Sequence, residues 1–158
     1  MKLVILESGA KAKTIKKYLG KGWIVDACNG HVQDLPVNSK AMWAYKEGEL
    51  PNPPWSWTDE KAERKLSAIM NKASKSSVNE IFIATDPDRE GEFIAWRLKE
   101  ILSDFDSVKR ISFNEITKDA VMSAISEPRD VDMHLVNAAI VRRLIDRLVG
   151  WRCSKFCK

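Results

Sequence analysis

Four carboxylates stand at alternate positions within seven residues: Asp86, Asp88, Glu90 and Glu92. Side chains so close repel one another, and Arg89 among them neutralises only part of that charge. A set made wholly of oxygen donors suits a hard cation such as Mg²⁺. A plainer account exists, because aspartate at a helix N-cap and glutamate in a first turn are ordinary helix starts. Capping uses one side chain, or two, and leaves the others unexplained. The cluster is therefore read first as a metal site.

The flanking residues say what must hold them. Ile81, Phe82, Ile83 and Ala84 form a short apolar run, the pattern of a strand buried on both faces. Pro87 biases Asp86 towards an extended backbone, so Asp86 and Asp88 point to one side. From Glu90 the period becomes helical, with Phe93, Ile94, Leu98, Ile101 and Leu102 on one side. Strand, acidic turn and helix place the cluster at a strand end, where α/β sheets bind ligands.

The rest of the chain alternates in the same way. Lys2 to Leu6 reads as a first strand ending at Glu7, Ser8 to Ala10 as a turn, and Lys11 to Leu19 as a helix stopped by Gly20 and Gly22. Trp23 to Cys28 reads as a strand, and Asn29-Gly30-His31 as a turn. Residues 37–58, with Pro51, Pro53 and Pro54, read as irregular. Trp43, Tyr45, Trp55 and Trp57 in that segment suit base stacking, or more simply anchor the loop to the body. Asp59 to Ser74 reads as a largely solvated helix. Val108 to Phe113 reads as a strand, Thr117 as the cap of a helix over Lys118 to Ser126, and Asp132 as the cap of a last helix over Met133 to Val149, followed by Gly150.

That last helix carries Arg142, Arg143, Asp146 and Arg147. Its spacing allows either a solvated, salt-bridged face or a row of guanidiniums for phosphates.

At 158 residues, 44% hydrophobic and 30% charged, the sequence describes one soluble domain rather than a disordered chain. The net charge of +4 permits a nucleic-acid partner without requiring one. No apolar run is long enough for a signal peptide or a membrane span, so the expected location is cytoplasmic. Cys28, Cys153 and Cys157 are expected to be free thiols.

Several stretches together resemble the Toprim fold, and in particular the amino-terminal domain of type IA DNA topoisomerases. They are Leu3 to Leu19, Gly30 to Pro36, the Asp-x-Asp-x-Glu motif within Ala84 to Trp96, Phe113-Asn114-Glu115-Ile116-Thr117, and Asn137 to Gly150. Gly9 stands where that family usually has proline. The resemblance implies an α/β Toprim fold over residues 1–150, with a mainly parallel sheet flanked by helices on both faces. Residues 151–158 then begin the junction to a following domain of the same parent enzyme.

The implied chemistry is cleavage and religation of one DNA strand through a phosphotyrosine. The family's nucleophilic tyrosine lies in a later domain, and neither Tyr18 nor Tyr45 matches it. By resemblance Glu7 handles the proton of the leaving sugar hydroxyl, Lys11 stabilises charge on the scissile phosphate, and Asp86, Asp88 and Glu90 hold Mg²⁺. Carboxylates nearby are expected to raise the Glu7 pKa. His31, Arg89, Arg142, Arg143 and Arg147 would meet single-stranded DNA, with Asp146 orienting the arginines and Arg110 a weaker candidate. A metal-dependent Toprim nuclease and a non-catalytic DNA-binding module on the same fold are the alternatives.

Overall fold

The fold is a computed structural model that describes residues 1–34 and 55–156, with side chains through residue 146. Six strands and five helices are seen among the described residues. In chain order they are β1 (Lys2–Leu6), α1 (Gly9–Leu19), β2 (Trp23–Ala27), β3 (Gln33–Asp34), β4 (Ser56–Trp57), α2 (Glu60–Lys75), β5 (Glu80–Ile83), α3 (Arg89–Ile101), β6 (Val108–Arg110), α4 (Lys118–Ser126) and α5 (Met133–Phe156).

The main sheet runs in the order β2-β1-β5-β6, with every pairing parallel. A strand's side chains alternate between faces, and here each face has its own apolar set. Leu3, Ile5, Ile81 and Ile83 meet Leu66, Ile69 and Ala73 of α2 and Ile94, Ala95 and Leu98 of α3. Val4, Leu6, Phe82 and Ala84 meet Ala12 and Ile15 of α1 and Val121 and Ala124 of α4. Helices therefore cover both faces, as expected. α5 forms an outer layer on α3, where Val136, Ala139 and Ile140 bury Phe93.

The order also fixes where a ligand can reach. From β1 the chain crosses through α1 to β2 on one side, while β5 pairs with β1 on the other. The crevice beyond the carboxyl ends of β1 and β5 is therefore a switch point in the strand order, the usual ligand position in open α/β sheets.

Four boundaries differ from the sequence reading. α1 begins at Gly9, because the Ser8 side chain accepts the Lys11 N–H and caps the helix there. β6 ends at Arg110 rather than Phe113. Beyond it the chain leaves the edge of the sheet, and the Arg110 carbonyl accepts the Arg129 N–H instead. Residues 56–57 are not irregular; they pair antiparallel with β3. The last helix continues through Gly150 to Phe156: a glycine inside a helix costs only about 1 kcal/mol, and no proline follows to stop it.

Residues 37–54, including Trp43 and Tyr45, lie outside the described residues, as do Lys158, Cys157 and the side chains of Arg147 and Cys153. Cys28 is free and buried, and burial pushes its thiol up to about 11. No helix among the described residues is long and apolar enough to cross a membrane.

Candidate active site

Parallel pairing of Ile5 with Ile83 sends β1 and β5 out of the sheet side by side. Glu7 and Asp86 follow within three residues, and Glu7 Oε1 accepts the Asp86 N–H at 2.8 Å. The loop after β2 joins the same edge, since Gly30 N–H donates to the Glu7 carbonyl at 3.1 Å. That turn needs positive φ at Asn29 (58°) and Gly30 (97°), conformations open to asparagine and glycine. It delivers His31 to the front of α3.

Each carboxylate of the motif has a partner. Asp86 Oδ1 lies 2.7 Å from Lys11 Nζ, one turn into α1. Asp88 is the N-cap of α3, with Oδ1 accepting the Gly91 N–H at 2.7 Å. Glu90 Oε2 lies 2.6 Å from Arg143 Nη2 and 3.3 Å from His31 Nε2. Arg143 also pairs with Asp34 at 3.2 Å, approaches His31 Nδ1 at 3.2 Å and covers the Phe93 ring at 3.9 Å. Two other segments, α5 and the loop after β2, thus meet Glu90 on α3.

Glu92 does not belong to this group. The helical turn directs it inward, where it is 1% exposed, and it pairs with Arg110 at 3.3 Å and with Arg129. The Asp132 N–H also donates to it at 3.2 Å. Arg110, read from the sequence as a possible DNA contact, is likewise buried, at 2% exposure. It is corrected here to an internal clamp. Its guanidinium donates to the carbonyls of Ile83, Thr85, Asp86 and Ile111 at 2.6–3.1 Å, satisfying the strand end from which the acidic turn departs.

Arg142 and Arg143 do not face the same way. Arg143 is turned inward, 13% exposed, while Arg142 lies outside and pairs loosely with Asp146 at 3.8 Å across two exposed side chains. Asp146 lies beside Arg142 at that distance and forms no ion pair with Arg143 among the described residues. Arg89 is partly buried, and its Nε has no hydrogen-bond partner among the described residues.

The electrostatics follow the geometry. The Glu7 carboxyl is held above its ordinary value, chiefly by burial. The charges of Asp86 and Asp88 add to the shift, while the Asp86 N–H and Lys11 oppose it. The sequence reading gave the direction but assigned it to the neighbouring charges, which are secondary. Asp86 beside Lys11 pushes the ammonium up. Burial would raise Glu92, but Arg129 and Arg110 more than reverse that and hold it below the ordinary carboxylate range.

The acidic quartet needs positive charge, as its spacing implied. In this fold the chain's own Lys11, Arg143, Arg110 and Arg129 supply it. Among the described residues no three His, Cys, Asp or Glu side chains form a ready cage for an ion. The donor chemistry of Asp86, Asp88 and Glu90 suits Mg²⁺, all three being partly exposed oxygen donors at one edge. Asp86 and Glu90 would meet an ion while already paired with Lys11 and Arg143.

Beside Lys11, Asp86 and Asp88 opens a cleft of about 440 Å³ whose far wall is Phe113, Asn114 and Glu115. The sequence reading gave Asn114 and Glu115 no part in the site. Their neighbourhood comes from the loop leaving β6, which no spacing rule shows.

A Toprim domain family model matches residues 2–116. DNA topoisomerase 1 of Streptomyces coelicolor is 42% identical over 97% of the chain, and DNA topoisomerase 1 of Rickettsia prowazekii is 44% identical over 98%. The chain spans only 17% and 20% of those two proteins. Among solved structures, full-length topoisomerase I from Thermotoga maritima superposes with a TM-score of 0.79 at 36% identity, covering 94% of this chain and 24% of that one.

Proposed function

The chain belongs to the Toprim family, and we propose that it is the metal-binding catalytic domain of a type IA DNA topoisomerase, working in the cytoplasm on single-stranded DNA. The observation that carries this reading is Glu7 hydrogen-bonded to the Asp86 backbone across two parallel strands, with Lys11 on the Asp86 carboxylate. Strand cleavage by a tyrosine needs a proton for the leaving sugar hydroxyl and positive charge at phosphorus. Glu7, its pKa raised by burial, supplies the first and takes the proton back in religation. Lys11 supplies the second.

Asp86, Asp88 and Glu90 would hold Mg²⁺, which when bound supplies charge stabilisation and alignment of the strand ends. His31, Arg89, Arg142, Arg143 and Arg147 would contact the DNA strand, with Asp146 holding Arg142. The nucleophilic tyrosine comes from elsewhere in a longer enzyme, through a junction starting near residue 151. Tyr18 is not assigned that role: its hydroxyl donates to the Ile116 carbonyl at 3.3 Å and ties α1 to the loop after β6.

Mg²⁺ titrated calorimetrically into the chain should give heat that Asp88→Asn abolishes. Labelled single-stranded DNA incubated with the chain and Mg²⁺ should be bound but neither cut nor covalently captured. No difference between wild type and Asp88→Asn would remove the metal from the proposal. Metal-dependent scission without an adduct would instead make the chain a Toprim nuclease.

A further inference from the structure

Residues 8–25 contain five lysines, Lys11, Lys13, Lys16, Lys17 and Lys21, and no aspartate or glutamate. The net charge of the whole chain is +4, so everything outside this stretch is, taken together, slightly acidic. Within the stretch, the positive charge has no acidic residue to offset it. That charge is also oriented. Ala12 and Ile15 are the buried positions of α1, whereas Lys13, Lys16 and Lys17 are exposed. They stand at i, i+3 and i+4, one face of the helix.

Among the described residues, Lys11 alone of the five has an anionic partner, Asp86. Lys13, Lys16, Lys17 and Lys21 form no ion pair among the described residues. α2 mixes acids among its cations: Arg64 pairs with Glu60 at 2.9 Å and Lys65 with Asp26 at 3.1 Å, while Lys61, Lys72 and Lys75 form no ion pair among the described residues. Like charges one turn apart cost a few tenths of a kcal/mol each. The negative end of the α1 dipole favours Lys16 and Lys17 but not Lys13, which lies near the other end. An external polyanion would relieve the whole face. The face begins one turn beyond the active site, because Ser8, next to Glu7, caps the same helix.

We propose that Lys13, Lys16 and Lys17 form a second DNA contact, a track on the outer face of α1 for the phosphate backbone of single-stranded DNA flanking the site. It rests on the nucleic-acid part of the reading above and not on the metal. Binding to phosphates releases counterions, so each contact adds about 0.7 to the slope of log affinity against log salt for a single strand.

The test measures anisotropy of a labelled 30-nucleotide single strand with the chain, in EDTA, across a NaCl series. The variant Lys13→Gln/Lys16→Gln/Lys17→Gln should lower the slope by about 2, with its circular dichroism and melting temperature unchanged. The variant Lys61→Gln/Lys72→Gln/Lys75→Gln on α2, which removes the same charge elsewhere, should leave the slope as it is. An equal fall in both variants would show a bulk-charge effect and overturn the track, as would an unchanged slope in the α1 variant or no binding by wild type. EDTA keeps this separate from the metal, whose failure would appear only in the Mg²⁺ titration.

Discussion

Glu92 differs from its acidic neighbours in what surrounds it. Asp86 and Glu90 are each more than 40% exposed, so solvent screens their ion pairs. Glu92 and Arg110 are each about 1% exposed, and neither charge has water to fall back on. Removing one partner of a buried pair typically costs about 3–5 kcal/mol. Glu92→Gln is therefore expected to lose stability of that order in urea melts, while Glu60→Gln on the surface stays within about 0.5 kcal/mol. The pH dependence has a fixed sign. The folded carboxyl is held below its ordinary value, so its contribution is present at neutral pH and disappears as pH falls through the ordinary glutamate range to the lower folded value. Wild type should lose stability over that acid window faster than Glu92→Gln. Parallel curves would mean that the guanidiniums do not hold the ionised form.

At the scale of elements, the join between β5 and α3 depends on a missing side chain. A Cβ at Gly91 would lie 1.9 Å from the Asp86 carbonyl oxygen and 3.0 Å from its nitrogen. That backbone is already fixed on both sides, with its N–H on Glu7 and its carbonyl on Arg110. Gly91→Ala must therefore separate the helix from the turn, at a cost of about 1–3 kcal/mol, and must displace Asp86. Melting temperature and Mg²⁺ affinity should fall together. Gly9→Ala, where nothing lies within 4 Å, should leave both nearly unchanged. A Gly91→Ala protein with native stability would show that the turn is not so constrained. The elements themselves were legible in the sequence, because β1 and β5 are short unbroken apolar runs, α1 and α3 carry a helical period, and α3 and α4 carry their caps, Asp88 and Thr117. Glu92 was not legible as a core ion. Its partners lie 18 and 37 positions away, on the strand end and loop that only the folded sheet brings back. The end of β6 was hidden for the same reason, since Ile111 and Phe113 still suit a strand while its pairing partner stops at Ile83.

Across the whole molecule, Arg143 joins parts of the chain that share no local signal. It reaches from α5 to Glu90 on α3, Asp34 on β3 and His31 in the loop after β2, with its cation over Phe93. From sequence it stood in a run of charges that fitted a solvated face equally well, because spacing cannot tell which helix face meets a neighbour. Its position couples two functions. While it neutralises Glu90, that carboxylate is less available to a cation and the guanidinium less available to a phosphate. A ligand shifts an equilibrium only by its preference between the two states, so Mg²⁺ at Glu90 and phosphate at Arg143, which both favour the open pair, should each favour the other's binding. Arg143→Ala should then have opposite effects on two measurements. Without metal the protein should lose about 1–2 kcal/mol, a charged hydrogen-bond contribution reduced by the exposure of its carboxylate partners. Mg²⁺ should raise its melting temperature more than it raises that of wild type, because binding stabilises in proportion to affinity and Glu90 no longer has to be released. Single-stranded DNA should bind it less tightly than wild type. An equal or smaller thermal response to Mg²⁺ would mean that Glu90 and Arg143 part at no cost, and the exchange between metal and guanidinium would have to be given up.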